Sequence, residues 1–128
     1  MAHIVIVEDD DILSELLAAK LSAAGHAITV VEDGGDAVAR ICAAMPDLVV
    51  LDCALPTMSG AGVIRAVREQ APQADLPVIL MSARSNEDYI QSMMLEGAAA
   101  FLVKPLNLRR FLDTIDHQLA LKNERLAA

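Results

Sequence analysis

Apolar residues gather in five short blocks along the chain: Ile4 to Val7, Ile28 to Val31, Leu48 to Leu51, Val78 to Met81 and Phe101 to Val103. Most of these blocks are continuous and β-branched rather than alternating, which predicts strands buried on both faces. The segments between them carry helical spacing. Leu13, Leu16, Leu17, Leu21 and Ala24 form one stripe, and Gly25 is placed to end that helix. A second helix is expected from about Asp36 to Met45, with Val38 and Ile41 inward and Pro46 as the stop. Val63, Ile64 and Val67 mark a third, entered through the turn Leu55-Pro56-Thr57-Met58-Ser59-Gly60. The fourth is expected to open at Ser85, with Asp88 three residues on as a capping box, and to stop at Gly97. The fifth opens at Asn107 and repeats Leu108, Phe111, Leu112, Ile115 and Leu119.

Strand and helix thus alternate five times, the signature of a parallel α/β sheet covered on both faces. No linker, low-complexity run or charge block divides the chain, and its 128 residues suit one domain. The domain is expected over residues 1–121, with 122–128 as a tail or the start of a linker. A hydrophobic fraction of 55% and a mean hydropathy of +0.42 supply a core without staples. The formal charge of −8 repels phosphate backbones, so direct nucleic-acid binding is not expected. Cys42 and Cys53 are too few for a disulfide scaffold, and no targeting segment or membrane-length apolar run is visible. These features point to a cytoplasmic protein.

The chemistry lies at the strand ends. In open α/β sheets, ligands sit outside the carboxyl ends of the strands, where the strand order reverses. Glu8, Asp9, Asp10 and Asp11 follow the first strand; Asp52 ends the third, Ser82 the fourth, and Lys104-Pro105 follows the fifth. The end of the second, Glu32-Asp33-Gly34-Gly35, reads as a plain turn. In the order 2-1-3-4-5, Asp9 and Asp52 converge. Converging carboxylates call for a cation, and Mg²⁺ suits a site of few carboxylates plus a phosphate. With an ammonium and a hydroxyl nearby, such a carboxylate is equipped to accept a phosphoryl group. Taken singly, each residue has a plainer role: Asp11 as a solvated helix start, Asp52 as a turn residue, Ser82 as a cap, Lys104 as a surface charge. It is their coincidence at four strand ends that carries the argument.

These residues resemble those of the receiver domain of bacterial two-component response regulators, including the chemotaxis-type receivers that stand alone. The likeness rests on Val7-Glu8-Asp9-Asp10, Leu51-Asp52 with Leu55-Pro56 and Ser59-Gly60, Met81-Ser82-Ala83, Gly97-Ala98, and Phe101-Leu102-Val103-Lys104-Pro105. It implies a flavodoxin-like, doubly wound sheet of order 2-1-3-4-5 with five helices on its two faces. It further implies phosphorylation of Asp52 by a histidine kinase or histidine phosphotransfer protein. Mg²⁺ would be held by Asp9, Asp52 and the carbonyl of Ala54, with Glu8 helping through water. Ser82 and Lys104 would contact the phosphoryl oxygens, Ser82 and Phe101 would form the switch, and Lys104-Pro105 would be cis. Output would pass to a protein partner through the fourth helix, fifth strand and fifth helix, including Tyr89, Met93, Phe101 and Arg109.

Two residues depart from the family pattern. Ala54 stands where many relatives carry a polar side chain, and Phe101 where others carry Tyr. Cys53 lacks a basic sequence neighbour and reads as an inert buried thiol, Cys42 as core. His3, His26 and His117 show no metal-ligand spacing, and no P-loop is present. A haloacid-dehalogenase-type hydrolase would need an acid at position 54, and an FMN carrier a hydroxyl- and glycine-rich loop where four acids stand. A constitutive adaptor or phosphate sink with little conformational output is the remaining alternative.

Overall fold

The computed structural model describes residues 1–128. Five strands, β1 (His3–Val7), β2 (Ala27–Val31), β3 (Leu48–Asp52), β4 (Val78–Ser82) and β5 (Ala100–Val103), form one parallel sheet of order β2-β1-β3-β4-β5. The helices between and after them are α1 (Asp11–Ala23), α2 (Gly34–Ala44), α3 (Gly60–Gln70), α4 (Glu87–Leu95) and α5 (Leu108–Ala127). Period-two alternation of strand side chains divides the interior into two layers. Ile4, Ile6, Leu48, Val50, Ile79 and Met81 pack with Leu17 and Leu21 of α1 and with Phe111 and Ile115 of α5. Val5, Val7, Val49, Leu51 and Leu80 pack with α2 and α3, where Tyr89 and Met93 of α4 join from the margin.

Strands β1, β3 and β4 carry the continuous apolar runs because both of their faces are covered. Edge strands β2 and β5 are only partly buried, with Val103 40% exposed. Gly25 and Gly97 take positive φ, 97° and 112°, where α1 and α4 give way to the next strand.

Several local expectations are corrected. Leu16 is 41% exposed and Ala24 lies in solvent, while Ser14 takes the inward place in α1 and donates its hydroxyl to the carbonyl of Asp11. The apparent turn Glu32-Asp33-Gly34-Gly35 is the entry to α2: Asp33 caps it and both glycines are helical. No capping box forms at Ser85; the N-cap of α4 is Asn86, without a side-chain cap bond. Residues 122–127, whose structure the sequence leaves open, continue helix α5, and Arg125 holds Asp75 through two hydrogen bonds of 2.9 Å.

Candidate functional site

Parallel strands all point their carboxyl ends the same way, so residues remote in sequence meet at one rim. Glu8, Asp52 and Ser82 are buried there, at 1%, 5% and 4% exposure, while Asp9 is exposed above them. Carboxylate oxygens of Glu8, Asp9 and Asp52 lie within 4.8 Å of one another. Lys104 Nζ donates to Glu8 Oε1 at 2.6 Å and to Asp52 Oδ2 at 3.2 Å. The Lys104-Pro105 bond is cis, as expected.

The remaining oxygens of the acids are held by backbone. Ala54 N–H donates to Asp52 Oδ1 at 3.1 Å, and Asp10 N–H to Glu8 Oε2 at 3.2 Å. Asp10 itself caps α1, accepting from the amides of Ile12 and Leu13, and Asp11 is the exposed first residue of that helix. Gly60 keeps the loop after β3 closed, since a Cβ there would stand 3.0 Å from the Cα of Cys53.

Electrostatics follow from this crowding. Burial raises the Glu8 carboxyl to about 7, against the pull of Lys104 and with Asp52 adding to the rise. Burial works to lower Lys104, but its hydrogen bond to Glu8 and the charge of Asp52 outweigh it, and its pKa rises. Three carboxylates facing one ammonium leave room for a cation. The donor set is all hard oxygen, which fits Mg²⁺ and not a soft metal. His3 and His26 are engaged elsewhere, with Thr29 and with the amide of Ala2.

Beside the acids stands a second group that sequence reading did not assemble. Ser82 Oγ accepts the Arg84 N–H at 3.0 Å. The Arg84 guanidinium lies 3.8 Å from the centroid of the Tyr89 ring, which meets half-buried Phe101 edge-on, centroids 6.0 Å apart at 84°. Burial raises the Tyr89 phenol above its ordinary value. Burial raises the Cys53 thiol, as an inert cysteine requires. Cys42 is half-buried against the core rather than within it.

Residues 4–116 match the family model for the response regulator receiver domain. The chain belongs to that family. Among its relatives, this receiver is 32% identical to protein PilH of Pseudomonas aeruginosa over 120 residues, which cover 94% of this chain and 99% of PilH. It is 34% identical over 123 residues to the luminescence regulatory protein LuxO of Vibrio campbellii, covering 93% of this chain but 27% of LuxO. The chain thus spans about a quarter of the length of one curated relative and nearly all of another. The crystal structure of the signal receiver domain of a LuxO repressor protein from Vibrio parahaemolyticus superposes with a TM-score of 0.90 at 29% identity, covering 98% of this receiver and 96% of that chain. Receivers serve two-component phosphorelay signalling as modules and not as enzymes on an outside substrate. No helix of this receiver is long and apolar enough to cross a membrane.

Proposed function

We propose that Asp52 accepts a phosphoryl group from a histidine kinase or histidine phosphotransfer protein in a Mg²⁺-dependent reaction, and that this switches a protein-binding face. The observation that supports this best is the buried Asp52 carboxylate, with one oxygen on Lys104 and the other on the Ala54 amide. Those bonds fix the carboxylate as a nucleophile. An Asp52 oxygen attacks phosphorus, the bond from phosphorus to the donor imidazole nitrogen breaks, and its electron pair returns to that imidazole. Lys104 turns its ammonium to the incoming phosphoryl oxygens, and Ser82 supplies a hydroxyl donor. Asp9, Asp52 and the Ala54 carbonyl would hold Mg²⁺, with Glu8 assisting through water. When bound, the ion neutralises charge on the phosphoryl oxygens.

The face that answers is α4, β5 and α5. Met94 and Leu95 of α4 are 39% and 86% exposed and Val103 of β5 is 40% exposed, apolar side chains open to a downstream protein. Such signalling belongs in the cytoplasm, where free thiols such as Cys42 and Cys53 persist. Acetyl phosphate with Mg²⁺ should add one phosphoryl group, read by intact mass. Asp52→Asn or EDTA should abolish the adduct, and undiminished labelling of the variant would sink the assignment.

A further inference from the structure

We propose that Gly34 and Thr57 are positioning residues for Mg²⁺ at Asp52: through them the start of α2 holds the loop after β3, and with it the Ala54 backbone, in place. The inference rests on the reading of Asp52 as a Mg²⁺-dependent phosphoacceptor. It adds to the site the one strand end, that of β2, which brings no reactive group to the rim.

The loop of residues 53–59 needs a support. Ala54 gives its amide to Asp52 at 3.1 Å, and its carbonyl would hold Mg²⁺. Ala54 is itself exposed, so its place is set by what the rest of the loop touches. The base of the loop is closed by an isolated bridge between Ala54 and Ser59 and by the Gly60 N–H, which donates to the Cys53 carbonyl at 3.1 Å. Its tip is held from outside. The Thr57 hydroxyl donates to Asp33 Oδ1, and the Gly35 N–H is shared between Asp33 Oδ1 at 2.8 Å and Thr57 Oγ1 at 3.1 Å. Asp33 is the N-cap of α2, so the carboxylate that starts the helix also holds the loop.

Shape leads to the same surface. Glycine is a poor helix former, yet α2 opens on Gly34-Gly35. Gly34 is buried, and a Cβ there would stand 3.1 Å from Leu55 Cδ1 and 3.2 Å from both the Cβ and the carbonyl oxygen of Met58. A Cβ on Gly62 of α3 would stand 3.1 Å from Met58 Cγ. Met58 thus sits in a notch that two glycines leave open, one on each helix. The Met58 carbonyl is backbone and cannot give way as a flexible side-chain end can, so bulk added at Gly34 must displace the loop or the helix. Leu55, pressed on the same glycine, is bonded directly to Ala54. A shift there carries the Ala54 carbonyl away from the carboxylates it would join around the ion.

Calorimetric titration with Mg²⁺, in the absence of any phosphodonor, reads the effect directly. Gly34→Ala should weaken Mg²⁺ binding about tenfold, the low end of what a metal site loses with the groups that orient its ligands. Thr57→Val keeps the shape but removes the hydroxyl, and should weaken binding about fivefold, the worth of one net hydrogen bond. Thr57→Ser returns the hydroxyl and should return the affinity. In EDTA, the amides of Ala54 and Gly60 should exchange faster in Thr57→Val than in the wild-type chain. Wild-type affinity for Mg²⁺ in both Gly34→Ala and Thr57→Val would overturn the inference while Asp52 labelling still stood. A Thr57→Ser affinity no better than that of Thr57→Val would overturn it equally. Absence of any Mg²⁺ binding by the wild-type chain would instead overturn the Mg²⁺-dependent reading of Asp52.

Discussion

Glu8 shows how far a single residue can be carried by its surroundings. It is 1% exposed, and burial raises its carboxyl to about 7 from an ordinary 4.5. The folded protein therefore holds the Glu8 proton more tightly than the unfolded chain does. That contribution to stability is complete below about pH 4.5 and is lost as pH rises through about 7. Asp33, Asp75 and Glu96 have lowered values, through Thr57, Arg125 and Arg65 respectively, and their contributions fade only as pH falls toward and below 4. The two windows are separate. Thermal melts in EDTA should show a fall in Tm from pH 5 to pH 8, and Glu8→Gln should flatten it. A slope unchanged in that variant would mean that Glu8 does not hold the proton. The acids, Ser82 and Lys104 were legible in the sequence because each ends a strand, and strand ends share a rim. Tyr89 and Arg84 were not, because they meet only through the packing of α4 against β5. The Asp10 cap was missed for a simpler reason, since an acid between two other acids carries no mark of which one turns inward.

Helices α4 and α5 are opposites at the scale of elements. Asn107 caps α5 by accepting from the amide of Arg110 at 3.0 Å, and Phe111 and Ile115 are fully buried beneath it. Asn107→Ala should cost about 1 kcal/mol and Phe111→Ala about 3–5 kcal/mol, both read by urea denaturation. A Phe111→Ala loss below about 1 kcal/mol would mean that the site collapses around the missing ring. Helix α4 has neither a cap bond nor a buried side chain, and the Arg65–Glu96 pair at its end is exposed, where such pairs contribute little. Its amides should exchange with solvent faster than those of α5. The alternation of five strands and helices was legible because apolar runs and stripes differ in period. The finer pattern was not. Leu16 fits the stripe of α1 by spacing, yet Ser14 takes the inward place by returning its hydroxyl to the backbone. Ser85 and Asp88 fit a capping box, yet α4 begins after Asn86, because the chain leaving Ser82 must first cross the rim of the site.

For the whole molecule, the question is how a charge placed on Asp52 reaches a surface. The sheet is rigid: β1, β3 and β4 are buried on both faces and pair in unbroken register. Close-packed strands yield little, so change should appear at the site's least-held neighbour. That neighbour is α4, with Phe101 and Val103 of β5 beside it. The exposed side chains Met94, Leu95 and Val103 lie on this side, and Ala98-Ala99-Ala100 gives the entry to β5 no charge. Ala98-Ala99-Ala100 offers a symmetric dimer no charged pair at the entry to β5. The expected output is a different protein with an apolar docking face. Beryllofluoride with Mg²⁺ should therefore change amide protection across α4, β5 and the start of α5, while light scattering shows a monomer before and after. Protection that changes only around Asp52 and Ser82 would make this receiver a phosphate relay or sink. A doubling of mass on activation would mean that the face recognises its own copy.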